Sequence, residues 1–152
     1  RENVVRNNIF AFSRQGQIAV TRAEEHLSFT FVRNLVYWDS GTLLGYPGWG
    51  NGAKVEMLNN LYWRAGGAAF DFNGKSWDEW RSDGRDSGSL IADPLFVDPE
   101  ARDFRLRTGS PAAEIGFVPF DSSAAGVYGD AAWRALAEST QFPEPYAVEN
   151  AR

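Results

Sequence analysis

Among the side chains of types that perform acid–base chemistry, His26, Asp39, Glu56 and Asp71 are the candidates. Glycoside hydrolysis needs two carboxyl groups about 5 to 10 Å apart on either side of the scissile bond. Asp39, Glu56 and Asp71 stand on or near successive strand-rich units, and strands paired at about 4.8 Å can bring two of them to that separation. Carboxylates at strand ends also serve as solvated turn formers, so a structural role stands beside the catalytic one. His26, the only histidine, lies in Arg22-Ala23-Glu24-Glu25-His26-Leu27. Its imidazole titrates near neutrality and suits a general acid or base; a hydrogen-bonded turn histidine is the alternative. No nucleophile-elbow sequence accompanies it, which argues against a Ser-His-Asp arrangement. Elimination from an acidic sugar needs instead a base and a cation, often calcium, to neutralise the sugar carboxylate. Arg6, Arg22, Arg33, Lys54 and Arg64 supply positive charge, but no loop alternates acidic ligands. Asp93 and Asp98 flank a short apolar run and read as turn caps, so no metal and no cofactor is expected.

Aromatic residues form 14% of the chain, enough for a ligand-binding strip as well as a core. The C–H face of a sugar packs on a flat ring. Tyr37 and Tyr62, aligned with Phe10, are expected to form an outward row, and Trp49 to be exposed in the loop Gly45-Tyr46-Pro47-Gly48-Trp49-Gly50. Trp38 and Trp63, next along the same strands, fall on the inner face by strand alternation and border that row. These five residues are the candidate contacts for a polysaccharide or oligosaccharide. The alternative is that long loops or the C-terminal tail cover the row, because single domains rarely leave a large apolar strip bare.

The elements that position these residues are near-copies of one another. Val5-Arg6-Asn7-Asn8-Ile9-Phe10-Ala11, Val32-Arg33-Asn34-Leu35-Val36-Tyr37-Trp38 and Met57-Leu58-Asn59-Asn60-Leu61-Tyr62-Trp63 align on Asn7, Asn34 and Asn59, 27 and then 25 residues apart. That period belongs to stacked repeat architectures. Glycine and proline divide each unit into short β-branched and aromatic segments: 4–12, 17–21, 27–38, 42–44, 54–63 and 68–72 are the expected strands. Such a unit makes one coil of a parallel solenoid. Asparagine tolerates the left-handed corner between strands, and stacked amides can bond along the axis as a ladder. Alternation then sends Val5, Val32 and Met57, and Ile9, Val36 and Leu61, inward.

Beyond Gly74 the repeat stops. Ser76-Trp77-Asp78-Glu79 has the spacing of a capping box, which predicts a short helix ending at Gly84. Two Asp-Pro steps around Leu95-Phe96-Val97 read as turn, strand, turn. Asp130 caps an amphipathic helix over 130–137, and an extended tail follows from Phe142. Trp77, Trp80 and Trp133 are expected to pack these helices onto the coils. Residues 1–74 are read as coils, and 75–152 as a cap of the same domain over the last coil's apolar cross-section and unpaired edge.

Composition bounds the partners. A net charge of −5 and an isoelectric point near 4.9, with no cluster of Lys and Arg, argue against nucleic acid. Without cysteine there is neither a disulfide framework nor a thiolate metal site. No apolar run approaches the roughly 20 residues that span a bilayer, so no membrane is expected, and no signal peptide is visible. The chain begins Arg1-Glu2-Asn3 inside the first repeat and is expected to be the C-terminal piece of something longer. An open first coil invites self-association.

The asparagine-centred coils, with Asp93-Pro94-Leu95-Phe96-Val97-Asp98, Asp103-Phe104-Arg105-Leu106, Gly109-Ser110-Pro111-Ala112 and Gly126-Val127-Tyr128-Gly129, resemble the C-terminal part of bacterial right-handed parallel β-helix repeat proteins. These are akin to the pectate-lyase-like superfamily and to β-helical glycoside hydrolases. The resemblance covers residues 1–150. It implies an all-β right-handed parallel β-helix of about three to four coils with a C-terminal cap containing short helices. It also implies an extracellular or periplasmic polysaccharide hydrolase or lyase, with the substrate groove along the outside of the helix and the active site on coils preceding Arg1. A non-catalytic glycan-binding or assembly module is the alternative.

Overall fold

The computed structural model describes residues 3–67, 69, 71–122 and 125–141. Its short apolar segments pair in parallel from one coil to the next. The first coil holds β1 (Val4–Arg6), β2 (Ile9–Ala11) and β3 (Gly16–Ala19); the second holds β4 (Phe29–Val32), β5 (Leu35–Trp38) and β6 (Thr42–Gly45). β7 (Val55–Leu58) and β8 (Leu61–Arg64) belong to the third, and after α1 (Trp77–Ser82) the strand β9 (Leu90–Ile91) starts a fourth. The sheets run β1-β4-β7, β2-β5-β8-β9 and β3-β6, all parallel. The chain is a parallel β-helix of about three coils. β10 (Phe96–Asp98) and β11 (Asp103–Leu106) form an antiparallel pair, and α2 (Ala131–Ser139) follows.

The long strands expected over 4–12, 27–38 and 54–63 are each broken at a corner. Asn7, Arg33 and Asn59 stand there with φ of 55°, 55° and 51°, in the left-handed region where asparagine is least penalised. The register pairs Val5 with Phe31 and Met57, and Ile9 with Leu35 and Leu61. It therefore stacks Asn8, Asn34 and Asn60 at a constant step of 26 residues. Alignment on Asn7 and Asn59 is one residue out. The first and third coils each carry two adjacent asparagines, of which the first turns the corner and the second forms the ladder. Segment 68–72 was expected as a strand, but Asp71 and Phe72 are not in one; Ala68 and Phe70 lie outside the described residues.

Two apolar cores sit on opposite faces of the β2-β5-β8-β9 sheet. Inside the coils, Phe31, Val36, Trp38, Leu43, Met57 and Tyr62 fill the bore. Outside, Leu35, Tyr37 and Leu61 are covered by Phe96, Ala112, Ile115 and Phe117. The segment carrying that second set reaches back to the first coil, where Val118 and Asn7 exchange two hydrogen bonds of 2.7 and 2.8 Å. Closure of the bore at the third coil falls to α1 instead. Trp80 and Phe72 lie in the inner core, with ring centroids 5.5 Å apart, and Trp80 meets Trp49 at 6.3 Å.

Helix α1 has the expected capping box, with Glu79 N–H donating to Ser76 Oγ and Ser76 N–H to Glu79 Oε2. Asp130 caps α2 by accepting from Ala132 N–H. Every described position of α2 is exposed, Trp133 at 67%. By their contacts, Arg1–Pro119 and Phe120–Arg152 are separate compact units. The tail from Phe142 lies outside the described residues. Among the described residues no helix is long and apolar enough to cross a membrane.

Candidate functional site

The ladder is built by side chains that satisfy main-chain groups of the coil before them. Asn34 Oδ1 accepts from Asn8 N–H at 3.0 Å while its Nδ2 donates to Val5 O at 2.9 Å. Asn60 repeats this, accepting from Asn34 N–H at 3.0 Å and donating to Phe31 O at 2.9 Å. In the fourth coil Ser89 takes the rung, its Oγ accepting from Asn60 N–H at 2.7 Å and donating to Asp86 Oδ1 at 2.7 Å. Asp86 is sealed from solvent and also accepts from Tyr62 Oη at 2.8 Å and Trp80 Nε1 at 2.7 Å. This carboxylate ties the ladder, the bore and α1 together. Sequence reasoning missed Asp86 and Ser89; continuing the 26-residue step past Asn60 points to their neighbourhood. Burial, and then the Asp86 charge, push the Tyr62 phenol well above its usual range.

Phe10, Tyr37 and Tyr62 do not form an outward row. Tyr62 points into the bore and is fully buried, and Phe10 packs against the same core. Tyr37 does face outward, but the segment carrying Phe96 covers it, with ring centroids 5.6 Å apart, and Phe12 lies 5.4 Å from it on another side. Burial, reinforced by Asp93, Glu100 and Asp39, raises the Tyr37 phenol. Trp38 is buried in the bore; Trp63 shares Tyr37's column instead of Trp38's and is half-buried on the outer face. Trp49 is only 6% exposed, its Nε1 donating to Ile18 O at 2.9 Å. The reason lies in Gly48, where a Cβ would stand 2.3 Å from Val20 O: the loop lies directly on the coil below and draws the indole in.

The exposed aromatic of that loop is Tyr46, at 52%. It holds φ of 71°, and its Oη donates to Gln15 Oε1 at 2.9 Å, which fixes the ring above the β3-β6 sheet edge. Its place between Gly45 and Pro47 is the signal that could have found it.

Asp39 accepts from Ser40 Oγ at 2.9 Å and Asp71 from Gly74 N–H at 2.7 Å, both as exposed turn formers. Glu56, on the outer face of β7, accepts from Thr30 Oγ1 at 3.0 Å on the paired strand. His26 lines an open cleft of about 400 Å³ with Asn3, Thr21, Arg22, Glu24 and Ser28, in which Arg22 and Glu24 pair at 2.5 Å. Among the described residues no hydrogen bond or ion pair joins any two of His26, Asp39, Glu56 and Asp71. Asp93 and Asp98 close turns by accepting from Leu95 N–H at 2.8 Å and Ala101 N–H at 3.1 Å.

Comparison with known protein families, with curated proteins and with solved structures finds no match to this chain.

Proposed function

We propose that the chain is the end module of a carbohydrate-active β-helix protein, a bacterial polysaccharide hydrolase or lyase acting outside the cytoplasm. Its share is to close and stiffen the solenoid and to touch the glycan, without a complete active site of its own. The observation that carries this reading is the closed end of the solenoid, where Trp80 and Phe72 fill the bore at the third coil. The held ring of Tyr46 supplies a sugar-stacking surface.

Incubation with insoluble plant and algal polysaccharides tests it, following retention and soluble product together. The reading expects retention without product, weakened about tenfold or more by Tyr46→Ala. Product release abolished by Asp39→Asn or Asp71→Asn overturns the non-catalytic part, and absence of retention on every polysaccharide overturns the carbohydrate part. A purely structural or assembly module is the second reading, favoured by the way Asp86 locks ladder, bore and α1 into one network.

A further inference from the structure

We infer that Asn51 is a site of spontaneous covalent modification, at which the main-chain nitrogen of Gly52 closes on the side-chain amide and expels ammonia. The inference stands independently of the glycan reading. The sequence holds two Asn-Gly steps, Asn51-Gly52 and Asn73-Gly74, each without the Cβ that elsewhere hinders approach of the following nitrogen to the amide carbon. Asn34 and Asn60 are followed by leucine and hold their amides in the buried ladder. The fold leaves one of the two Asn-Gly steps open and restrains the other.

Residues 47–52 form a turn that ends as a helix does at a C-terminal glycine. Ala53 N–H donates to Gly48 O at 3.0 Å and Gly52 N–H to Trp49 O at 3.4 Å, with Gly52 at φ of 82°. The bond from Gly52 lies at the long, weak end of the range, and Trp49 O shares its acceptance with Asn73 Nδ2, also at 3.4 Å. Little therefore holds the Gly52 proton. Asn51 is exposed, and among the described residues no hydrogen bond holds its side-chain amide. The space beside Gly52 is open as well, since a Cβ built there meets nothing within 4 Å.

At the second step Gly74 N–H donates to Asp71 Oδ1 at 2.7 Å, a short bond to a charged acceptor. That carboxylate opposes loss of the Gly74 proton and repels the nitrogen anion that attack requires. The Asn73 amide is tethered too, through its bond to Trp49 O.

The reaction balances without a cofactor. Solvent base takes the Gly52 N–H proton, the nitrogen bonds to Asn51 Cγ, the Cγ–Nδ2 bond breaks, and ammonia leaves with a proton from water. Water then opens the cyclic imide at either carbonyl, leaving aspartate or isoaspartate at position 51. Either product adds a negative charge, and isoaspartate also inserts a methylene into the main chain. That insertion falls between two anchored points of the loop, Gly48 N–H on Val20 O at 2.9 Å and the buried Ala53. The same loop seats Trp49 and presents Tyr46, so the modification acts on both.

Incubation of the folded chain in mildly alkaline buffer, followed by tryptic mapping with mass spectrometry, tests the inference; peptides 34–54 and 65–75 report Asn51 and Asn73 separately. Asn51 is expected to convert at least about tenfold faster than Asn73, the difference between a weak neutral bond and a charged one on the attacking nitrogen. In urea, where the turn and the carboxylate contact are gone, the two rates are expected to converge. Asp71→Ala is expected to speed Asn73 at least about fivefold and leave Asn51 unchanged. Asn51 left intact in the folded chain while the urea-unfolded chain converts overturns the inference, as does Asn73 converting as fast as Asn51 in the folded chain. An Asp71→Ala chain in which Asn73 stays slow overturns the part assigned to the carboxylate. The comparison of folded with urea-unfolded chain uses no variant, so it decides the matter even where Asp71→Ala does not fold.

Discussion

A carboxylate sealed from water among uncharged donors is held by what each donor would lose without it. Replacing Asp86 by Ala strands Tyr62 Oη and Trp80 Nε1 in the core and removes the acceptor of Ser89. The expected loss is about 3 to 5 kcal/mol in a urea melt, against roughly half that for Asp86→Asn, which keeps one acceptor oxygen. The Tyr62 phenol gives the same network a pH signature. It is raised well above its ordinary value of 10.0, so above that pH the unfolded chain sheds a proton the folded chain keeps. Stability should be unaffected by this group below about pH 10 and fall as pH rises through it. Tyr62→Phe should flatten the slope of unfolding free energy between roughly pH 9.5 and 11. At the surface, the Arg105 side chain bonded to Asp103 holds that carboxyl down at about 2. The stabilising pairing is present above the usual aspartate range and lost as pH falls toward 2. Arg105→Ala should raise the Asp103 NMR titration toward the ordinary aspartate range, the backbone N–H of residue 105 still holding it somewhat down. The Asp103–Arg105 partnership was legible in principle, since residues two apart share a strand face. Asp86 was legible only once the 26-residue step was known, because it follows the helix that interrupts the repeat.

Asparagine rungs and close glycine contacts decide how the strands stack. Asn34→Ala and Asn60→Ala each leave an N–H and a C=O of the preceding coil unsatisfied, so each should cost about 2 to 4 kcal/mol. Gly16→Ala places a Cβ 2.5 Å from Gly45 Cα, backbone against backbone, and should cost about 1 to 3 kcal/mol as β3 and β6 are pushed apart. Chemical denaturation of the three variants checks both. The repeat, the parallel coils, the capping box of α1 and the cap of α2 could all be read from the chain, because each is a local pattern of residue types. Register could not be read reliably, since Asn7-Asn8 and Asn59-Asn60 offer two alignments and only main-chain pairing selects one. The fate of Tyr37 was hidden for another reason. Parity counted across the Asn7, Arg33 and Asn59 corners sent Tyr37 outward correctly but misplaced Tyr62, Ile9 and Leu61. Nor does it tell that Phe96, Ile115 and Phe117, more than 55 residues on, will lie over Tyr37.

At the scale of the molecule, a solenoid passes each coil's unmet main-chain groups to the next, and one with distinct ends must finish them differently. Here one end is finished by tryptophan and a buried carboxylate, while in the first coil the Asn8 amide turns back to Arg6 O and Asn34 Oδ1. The direct measurement is amide hydrogen exchange at Ile9, Leu35 and Leu61 in the monomeric chain, three residues of one register column. Leu35 and Leu61 donate to Asn8 O and Asn34 O at 2.9 Å and should exchange slowly. Ile9 faces the free edge and should exchange about 100-fold faster or more. Protection of Ile9 equal to that of Leu35 would contradict the account, as would a Leu61 as labile as Ile9.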